Sequence, residues 1–315
     1  MGKVYFYNVY GLNIKSDIQL NEFVEVDKCN NVDINIKEWE PPEELKSRFK
    51  EDSTTLVARN KILFDIKNIA TYEVCNGNEI HYNIHEEGNP YHLKVFLMCS
   101  CIGFAMIQRD KLAIHGGVVA IDDKAVIITG DKGAGKSSLT TGLRKKGYKF
   151  ISDDVAAIEF AENIMVNAGF PYQKLCEDTA INMGYDTDKY FSFMSDKEKK
   201  YVIPVKDDFK DSSTKLEAIF QITKGNVDKV SIEEIKSSKK VAKIIENIYR
   251  VECMDLFGGL NPRLFKKCVN LAKNVKFYKI TRPLKGFTIN EQIRLIEDYI
   301  FNDESSNEKL YRKIL

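Results

Sequence analysis

Residues 125 to 137 read AVIITGDKGAGKS, a short apolar run followed by Gly130, Asp131, Lys132, Gly133, Ala134, Gly135, Lys136 and Ser137. A loop that wraps a phosphate turns its backbone N–H groups inward, which forces positive φ at some positions and leaves no room for side chains. Gly130, Gly133 and Gly135 supply that freedom. A helix beginning near Lys136 adds unpaired N–H groups and the positive end of its dipole, while the Lys136 ammonium reaches the outer phosphates. The Ser137 hydroxyl, with Ser138 beside it, is then placed to meet a phosphate-bound Mg²⁺. A glycine-rich turn can arise without function, so the flanks are the test. Ala125 to Thr129 is β-rich, and SSLTTGLRKK carries helical residues into Gly147, a natural C-terminal stop.

Ser152-Asp153-Asp154 is the second chemical feature, with its carboxylates seventeen and eighteen residues after the loop lysine at the end of a strand-like run. Paired acids there can divide two tasks. One holds Mg²⁺ directly or through water, and the other accepts a proton from an attacking hydroxyl. The plainer reading is a turn, since Asp-Asp at a strand end is common; the phosphate loop shifts the balance towards chemistry. His115, in Ala113-Ile114-His115-Gly116-Gly117, is a third candidate. A histidine there can hydrogen-bond a phosphate, tune a nearby acid, or simply be a half-buried strand residue. His81-x-x-x-His85 has a spacing that suits a metal on a helix, but in an alternating strand it reads as ordinary surface.

The elements around these residues follow from changes in hydrophobic period. Up to about residue 90 the chain is strand-like, at Val4 to Val9, Val32 to Ile36, Ile62 to Ile66 and Ile80 to Ile84, with a short helix at Glu43 to Phe49. Gly88-Asn89-Pro90 breaks the pattern, and a helix from Tyr91 to Gln108 follows. A β-rich domain over 1–90 and a catalytic domain over 91–315 are therefore expected. Further strands are expected at Leu112 to His115, Val118 to Ile121, Tyr148 to Ser152, Val155 to Phe160, Lys215 to Thr223 and Val275 to Thr281. Helices are expected at Ser238 to Tyr249, Arg263 to Ala272 and Ile289 to Phe301, before a polar tail.

Composition narrows the function classes. Lys plus Arg number 47 against 46 acidic residues, a net charge of +1 that makes no electrostatic case for nucleic acid or anionic membrane. The seven cysteines are scattered and never spaced C-x-x-C, which argues against a disulfide framework or a zinc site and fits a reducing cytoplasm. The opening MGKVYFYNVYGL alternates like a strand and reads as no targeting segment. Val95 to Met106 reads as a buried helix, too short for a membrane span.

Three segments together carry a resemblance. The run LAIHGGVVAIDDKAVIITGDKGAGKSSLTTGLRKKGYKFISDD resembles the catalytic core of the HPr kinase/phosphorylase family in order and spacing over about forty residues. YNVYGLNIKSDIQL and AGFPYQKL resemble a divergent serine kinase branch that includes kinases of lasso-type precursor peptides. The resemblance implies an α/β, parallel-rich P-loop core like that of phosphoenolpyruvate carboxykinase, with an N-terminal β-rich small domain. It implies ATP and Mg²⁺ as cofactors, Lys136 and Ser137 in their loop roles, His115 as the active-site histidine, Asp154 as the base and Asp153 in support of metal and water. Lys174 and Arg282 match basic residues of related kinases and are candidates for substrate contact. The downstream glutamate in an arginine-glycine segment that marks phosphorylase activity has no counterpart here, and residues 1–90 do not resemble the family's regulatory domain. The resemblance therefore carries over neither dephosphorylation nor HPr itself as substrate.

The expected function is transfer of the γ-phosphoryl group to a serine of a peptide or small protein, such as a lasso-type precursor. A kinase of a small molecule such as free serine and a non-catalytic nucleotide sensor remain alternatives. A closed, charged pocket near Asp154 would favour the small molecule, and the intact Asp153-Asp154 argues against the sensor. A homo-oligomer is an expected partner state for such an architecture.

Overall fold

The computed structural model describes residues 3–51, 55–58, 60–195 and 198–311. Apolar alternation builds a first sheet from β1 (Tyr5–Val9), β2 (Leu12–Ser16), β3 (Ile34–Glu38), β4 (Thr55–Ala58), β5 (Lys61–Ile66), β6 (Ala70–Cys75) and β7 (Glu79–Ile84), in the spatial order β1-β2-β3-β7-β6-β5-β4. β2, β4 and β6 were not among the expected strands. β6 alternates Ala70, Tyr72 and Val74 with Thr71 and Glu73, yet it is buried along its whole length, its polar side chains held by Asp65 and Lys61. The short helix after Pro41-Pro42 forms at Glu43–Glu51.

The next helix runs over Pro90–Gln108, with a π turn at Leu97–Cys101. Asn89 starts it by accepting the Tyr91 N–H, with Pro90 in the first turn where a missing N–H costs nothing. At 19 residues it is long and apolar enough to cross a bilayer, so the length argument drawn from Val95 to Met106 does not hold. Half of it is buried within the fold, where Leu93, Leu97, Cys101 and Ile102 share a core with Ile14, Ile36, Tyr72 and Ile80 of the first sheet.

The remaining strands are β8 (Ala113–Ile121), β9 (Lys124–Gly130), β10 (Lys149–Ser152), β11 (Val155–Phe160), β12 (Ile164–Asn167), β13 (Tyr172–Cys176), β14 (Ser192–Ser195), β15 (Glu198–Pro204), β16 (Thr214–Gly225), β17 (Ser231–Glu234) and β18 (Lys276–Pro283). Strands β13 to β15 form a separate three-stranded sheet, and the other eight form one sheet. The expectation of a parallel-rich core is corrected. Only β9–β16 and β16–β18 run parallel, and the other pairs of that sheet are antiparallel. The β8–β9 pair shows why: Asp122 and Asp123 both take positive φ, the backbone of a tight hairpin turn, which leaves no length for a crossover.

Both faces of the large sheet are covered. Ile114, Val118, Ile127 and Phe277 pack on one side with Ile244, Leu264, Cys268 and Leu271, from helices at Ser237–Glu246 and Pro262–Asn274. Val119, Val126, Ile128 and Ile280 pack on the other with Leu139 and Leu143 of a helix at Lys136–Lys145 and with Ile289, Ile293 and Ile296 of a helix at Ile289–Tyr311. That double cover is why AVII is continuously apolar rather than alternating. The last helix extends past Phe301 into the expected polar tail, and residues 312–315 lie outside the described residues.

β8 is one strand through Gly116-Gly117, where the sequence suggested two pieces. The glycines answer to close packing rather than to a turn. A Cβ on Gly116 would lie 2.4 Å from the Ile128 carbonyl oxygen, and one on Gly117 would lie 2.4 Å from the Thr140 hydroxyl.

Candidate active site

The loop from Gly130 to Gly135 joins β9 to the helix at Lys136–Lys145. Gly130, Gly133 and Gly135 take φ of 137°, 75° and 112°, values open to glycine and strained for other residues. Gly130 also lies against β16, where a Cβ would come within 2.3 Å of the Ile222 carbonyl oxygen. No side chain caps the helix start, so its first N–H groups are left for an anion. Lys136 folds back to donate to the carbonyls of Gly130 (2.7 Å) and Asp131 (3.1 Å), and burial lowers the pKa of its ammonium. Asp131, Lys132 and Gly133 are exposed at the tip, Ala134 is buried, and the Ser138 hydroxyl lies 3.1 Å from that of Thr179.

The paired acids are positioned by β8. β10 and β11 pair with this one strand, and Asp153 and Asp154 lie between them, opposite the two glycines. The Val155 N–H donates to the Asp153 carbonyl at 2.6 Å and the Gly116 N–H to the Asp154 carbonyl at 3.1 Å. Asp154 is thereby held at φ 62°, a left-handed conformation that costs a non-glycine residue about 1 kcal/mol or more.

Asp154 is engaged on both oxygens, Oδ1 lying 3.1 Å from His115 Nε2 and Oδ2 ion-paired to Lys174 Nζ at 2.9 Å. Burial pushes its pKa up, but Lys174 and His115 together outweigh that and hold it well below the usual carboxylate range. Asp153, only 8% exposed, accepts the Lys174 backbone N–H at 2.9 Å. Burial drives its carboxyl above the ordinary value and the Asp154 charge adds to this, against the pull of Lys174. Two adjacent acids are thus set apart, one held ionised and the other inclined to keep a proton. His115 is fixed from behind: its N–H donates to the Asn247 carbonyl at 2.8 Å and its own carbonyl accepts the Thr129 hydroxyl at 2.7 Å.

In front of Asp154 and Lys174 opens a cleft of about 270 Å³ whose other walls include Cys99, Phe193, Lys200 and Arg250. Arg250 takes φ 55°, places its guanidinium 4.8 Å from the Phe104 ring centre and donates to the Ser100 hydroxyl at 3.0 Å. The Lys200 ammonium has no hydrogen-bond or ion-pair partner among the described residues.

The structure brings His115, Asp153, Asp154 and Lys174 together. Lys174 is no free surface cation, since its ammonium is engaged by Asp154, and its pKa is raised because the neighbouring carboxylates outweigh burial. Arg282 lies instead against the phosphate loop, donating from Nε to the Ala134 carbonyl at 2.9 Å. Lys200, Asn247 and Arg250 escaped sequence reasoning. Lys200 sits in a lysine run that reads as solvated, and the turn that swings Arg250 inward carries no glycine or proline to announce it.

His81 and His85 pair with different acids, Glu73 at 2.8 Å and Asp65 at 3.0 Å, so they form no shared metal site. Glu73, Cys75 and His81 do converge within 4.8 Å, but Glu73 is already bound by Lys61 at 2.8 Å.

No protein-family model matches the chain. It is similar to an HPr kinase/phosphorylase from Clostridium acetobutylicum, 39% identical over 67 residues, or 20% of this chain and 22% of that protein. An HPr kinase/phosphorylase from Mycoplasmopsis pulmonis is 24% identical over 156 residues, covering 46% of this chain and 50% of that one. A solved HPr(Ser) kinase/phosphatase from Coxiella burnetii aligns with a TM-score of 0.35 at 14% identity, over 63% of this chain and 96% of that one. The chain thus spans between about a fifth and a half of the length of the curated relatives it matches. The curated relatives that the chain resembles in part share the name HPr kinase/phosphorylase, and the similarity to each is low or short.

Proposed function

We propose that the chain transfers the γ-phosphoryl group of ATP to a serine hydroxyl, with Asp154 as the base. The observation that carries this reading is the Asp154 carboxylate, held ionised between His115 and Lys174 at the edge of a cleft and close enough to Lys136 for the two charges to interact. Asp154 takes the proton of the acceptor hydroxyl as the new O–P bond forms and the β,γ-bridging P–O bond breaks. Lys136, released from the Gly130 and Asp131 carbonyls, and the N–H groups of the loop and helix start offset the charge on the transferring phosphate. His115 and Lys174 fix the carboxylate's position.

Asp153 and Ser137 fit a Mg²⁺ site. The Ser137 hydroxyl and one Asp153 oxygen make no hydrogen bond among the described residues, and the raised pKa of Asp153 marks a buried carboxylate that lacks enough positive charge around it. When bound, the ion neutralises phosphate charge.

For the acceptor, a serine in a peptide or small protein, including a lasso-type precursor, remains the first reading. A small molecule that carries a carboxylate beside a hydroxyl, such as free serine, is favoured by a specific observation: the cleft beside Asp154 holds Arg250 and the Lys200 ammonium, which has no partner among the described residues, cations suited to that carboxylate.

Incubation with γ-labelled ATP, Mg²⁺ and either serine-containing peptides or free serine decides between them. Lys136→Ala is expected to lower transfer by at least a hundredfold, and Asp154→Asn to stop transfer while leaving nucleotide affinity within a few fold. Normal transfer by the Asp154→Asn variant would remove Asp154 from the role of base.

A further inference from the structure

Beside the phosphate loop lies a second cleft, of about 100 Å³, whose walls include Gly135 and Ser138 of the loop and helix start, Arg282, Phe287, Thr288 and Gln292 and neither of the paired acids. Two observations mark it as a seat for a planar, hydrogen-bonding ring. Gln292 is 3% exposed, its Nε2 donates to the Thr288 hydroxyl at 3.1 Å, and its Oε1 is buried with no partner among the described residues. A buried acceptor left unpaired is costly and uncommon in a folded chain. Phe287, 63% exposed, presents an apolar ring at the same cleft, and Met183 and Ile289 supply buried apolar wall.

We propose that this cleft seats the base of the nucleotide and that Gln292 selects adenine. The inference rests on the reading that the loop binds a nucleoside triphosphate. Because Gly135 and Ser138 line the cleft, a base joined through its ribose to phosphates in the loop reaches it without crossing the acidic pair. An amide side chain offers an acceptor beside a donor, the complement of adenine's amino group and adjacent ring nitrogen. In the free chain the acceptor is unpaired and one of the two Nε2 hydrogens is used by Thr288, so the exocyclic amine of adenine supplies the missing donor to Oε1 and the second Nε2 hydrogen meets the ring nitrogen. The 6-oxo group of guanine presents an acceptor at that position and leaves Oε1 unpaired. Phe287 stacks on the exposed face of the ring.

The test is calorimetric titration of the full chain with MgADP, MgGDP and inorganic tripolyphosphate. The wild-type chain is expected to bind ADP at least tenfold more tightly than GDP. Gln292→Met is expected to bring that ratio close to one with tripolyphosphate affinity within twofold of wild type. Phe287→Ala, a change at an exposed position that the fold does not depend on, is expected to weaken ADP threefold or more. Equal affinity for ADP and GDP, or Phe287→Ala and Gln292→Met variants that bind ADP like wild type, would overturn the base seat and leave the phosphate-transfer reading standing. Failure of the wild-type chain to bind both tripolyphosphate and ADP would overturn both.

Discussion

Asp153 and Asp154 are chemically identical neighbours with opposite pKa shifts, and the difference lies in which side chains reach them. Asp154 meets Lys174 and His115 on its two oxygens, whereas Asp153 is buried with one backbone N–H for company. Because the folded chain holds the Asp153 proton more tightly than the unfolded chain does, the stability that proton contributes is lost as pH rises through the window above the ordinary carboxylate range. Asp153→Asn keeps an acceptor for the Lys174 N–H and removes the charge. At pH 7 to 8 it is expected to stabilise the free chain by about 1 kcal/mol, read as a higher midpoint in urea, while phosphoryl transfer falls at least tenfold and the Mg²⁺ concentration required rises. A less stable Asp153→Asn chain at that pH would show that Asp153 is already neutralised in the free fold. The loop and the acids were legible in the sequence, because Gly-x-x-Gly-x-Gly-Lys-Ser and Asp-Asp declare themselves by residue type. The partnership of Lys174 with Asp154 was not, since twenty residues separate them and only the packing of β13 beside the turn brings them within 2.9 Å.

At the scale of elements, the site hangs on one strand. β8 carries His115, pairs with both strands flanking the acids, and brings β9 with its loop alongside. Gly116 and Gly117 allow this by admitting the Ile128 backbone and the Thr140 side chain at close range. Gly117→Ala drives a methyl into the hydroxyl side of Thr140, on the loop helix, and is expected to cost about 1–3 kcal/mol and to weaken nucleotide binding several fold by displacing that helix. Adding Thr140→Ala to Gly117→Ala is expected to recover at least half of the loss in both measurements, and no recovery would show that the clash lies elsewhere. Sequence patterning found β9 and its helix with their bounds nearly right, because a loop with its own chemistry separates them. It divided β8 in two because glycine in an otherwise apolar run reads as a break when its packing partners are unseen.

Across the whole molecule, the first sheet and the catalytic strands share apolar interior. One core runs from Ile14, Ile36 and Tyr72 through the Pro90–Gln108 helix to Val155, Ala157 and Phe170. Phe170 packs against both Tyr10 and Phe23, with ring centres 6.2 and 5.2 Å away, and the Tyr10 N–H donates to the Ala168 carbonyl at 2.7 Å. The single tryptophan, Trp39, follows β3 and reports on the first sheet alone. Shared packing predicts that urea unfolding followed by Trp39 fluorescence coincides with loss of nucleotide binding in one transition, and that Phe170→Ala shifts both by about 3–5 kcal/mol. Two separated transitions would mean that residues 1–90 and 91–315 fold independently. The division at residue 90 was drawn from a change of period and a Gly-Asn-Pro break, and neither records what lies across the interface.

The left-handed turn at Asp154 limits the alphabet available to the base. Glutamate is as good an acid as aspartate, yet it lacks the short side chain that makes φ 62° tolerable, so Asp154→Glu is expected to lose both activity and about 1 kcal/mol of stability. Asp154→Gly relieves the backbone but strands the Lys174 ammonium, so it is expected to be less stable than wild type and to transfer nothing. Comparing melting midpoint with turnover across these variants therefore separates what the backbone demands at this position from what the reaction demands, and aspartate is the one residue that serves both.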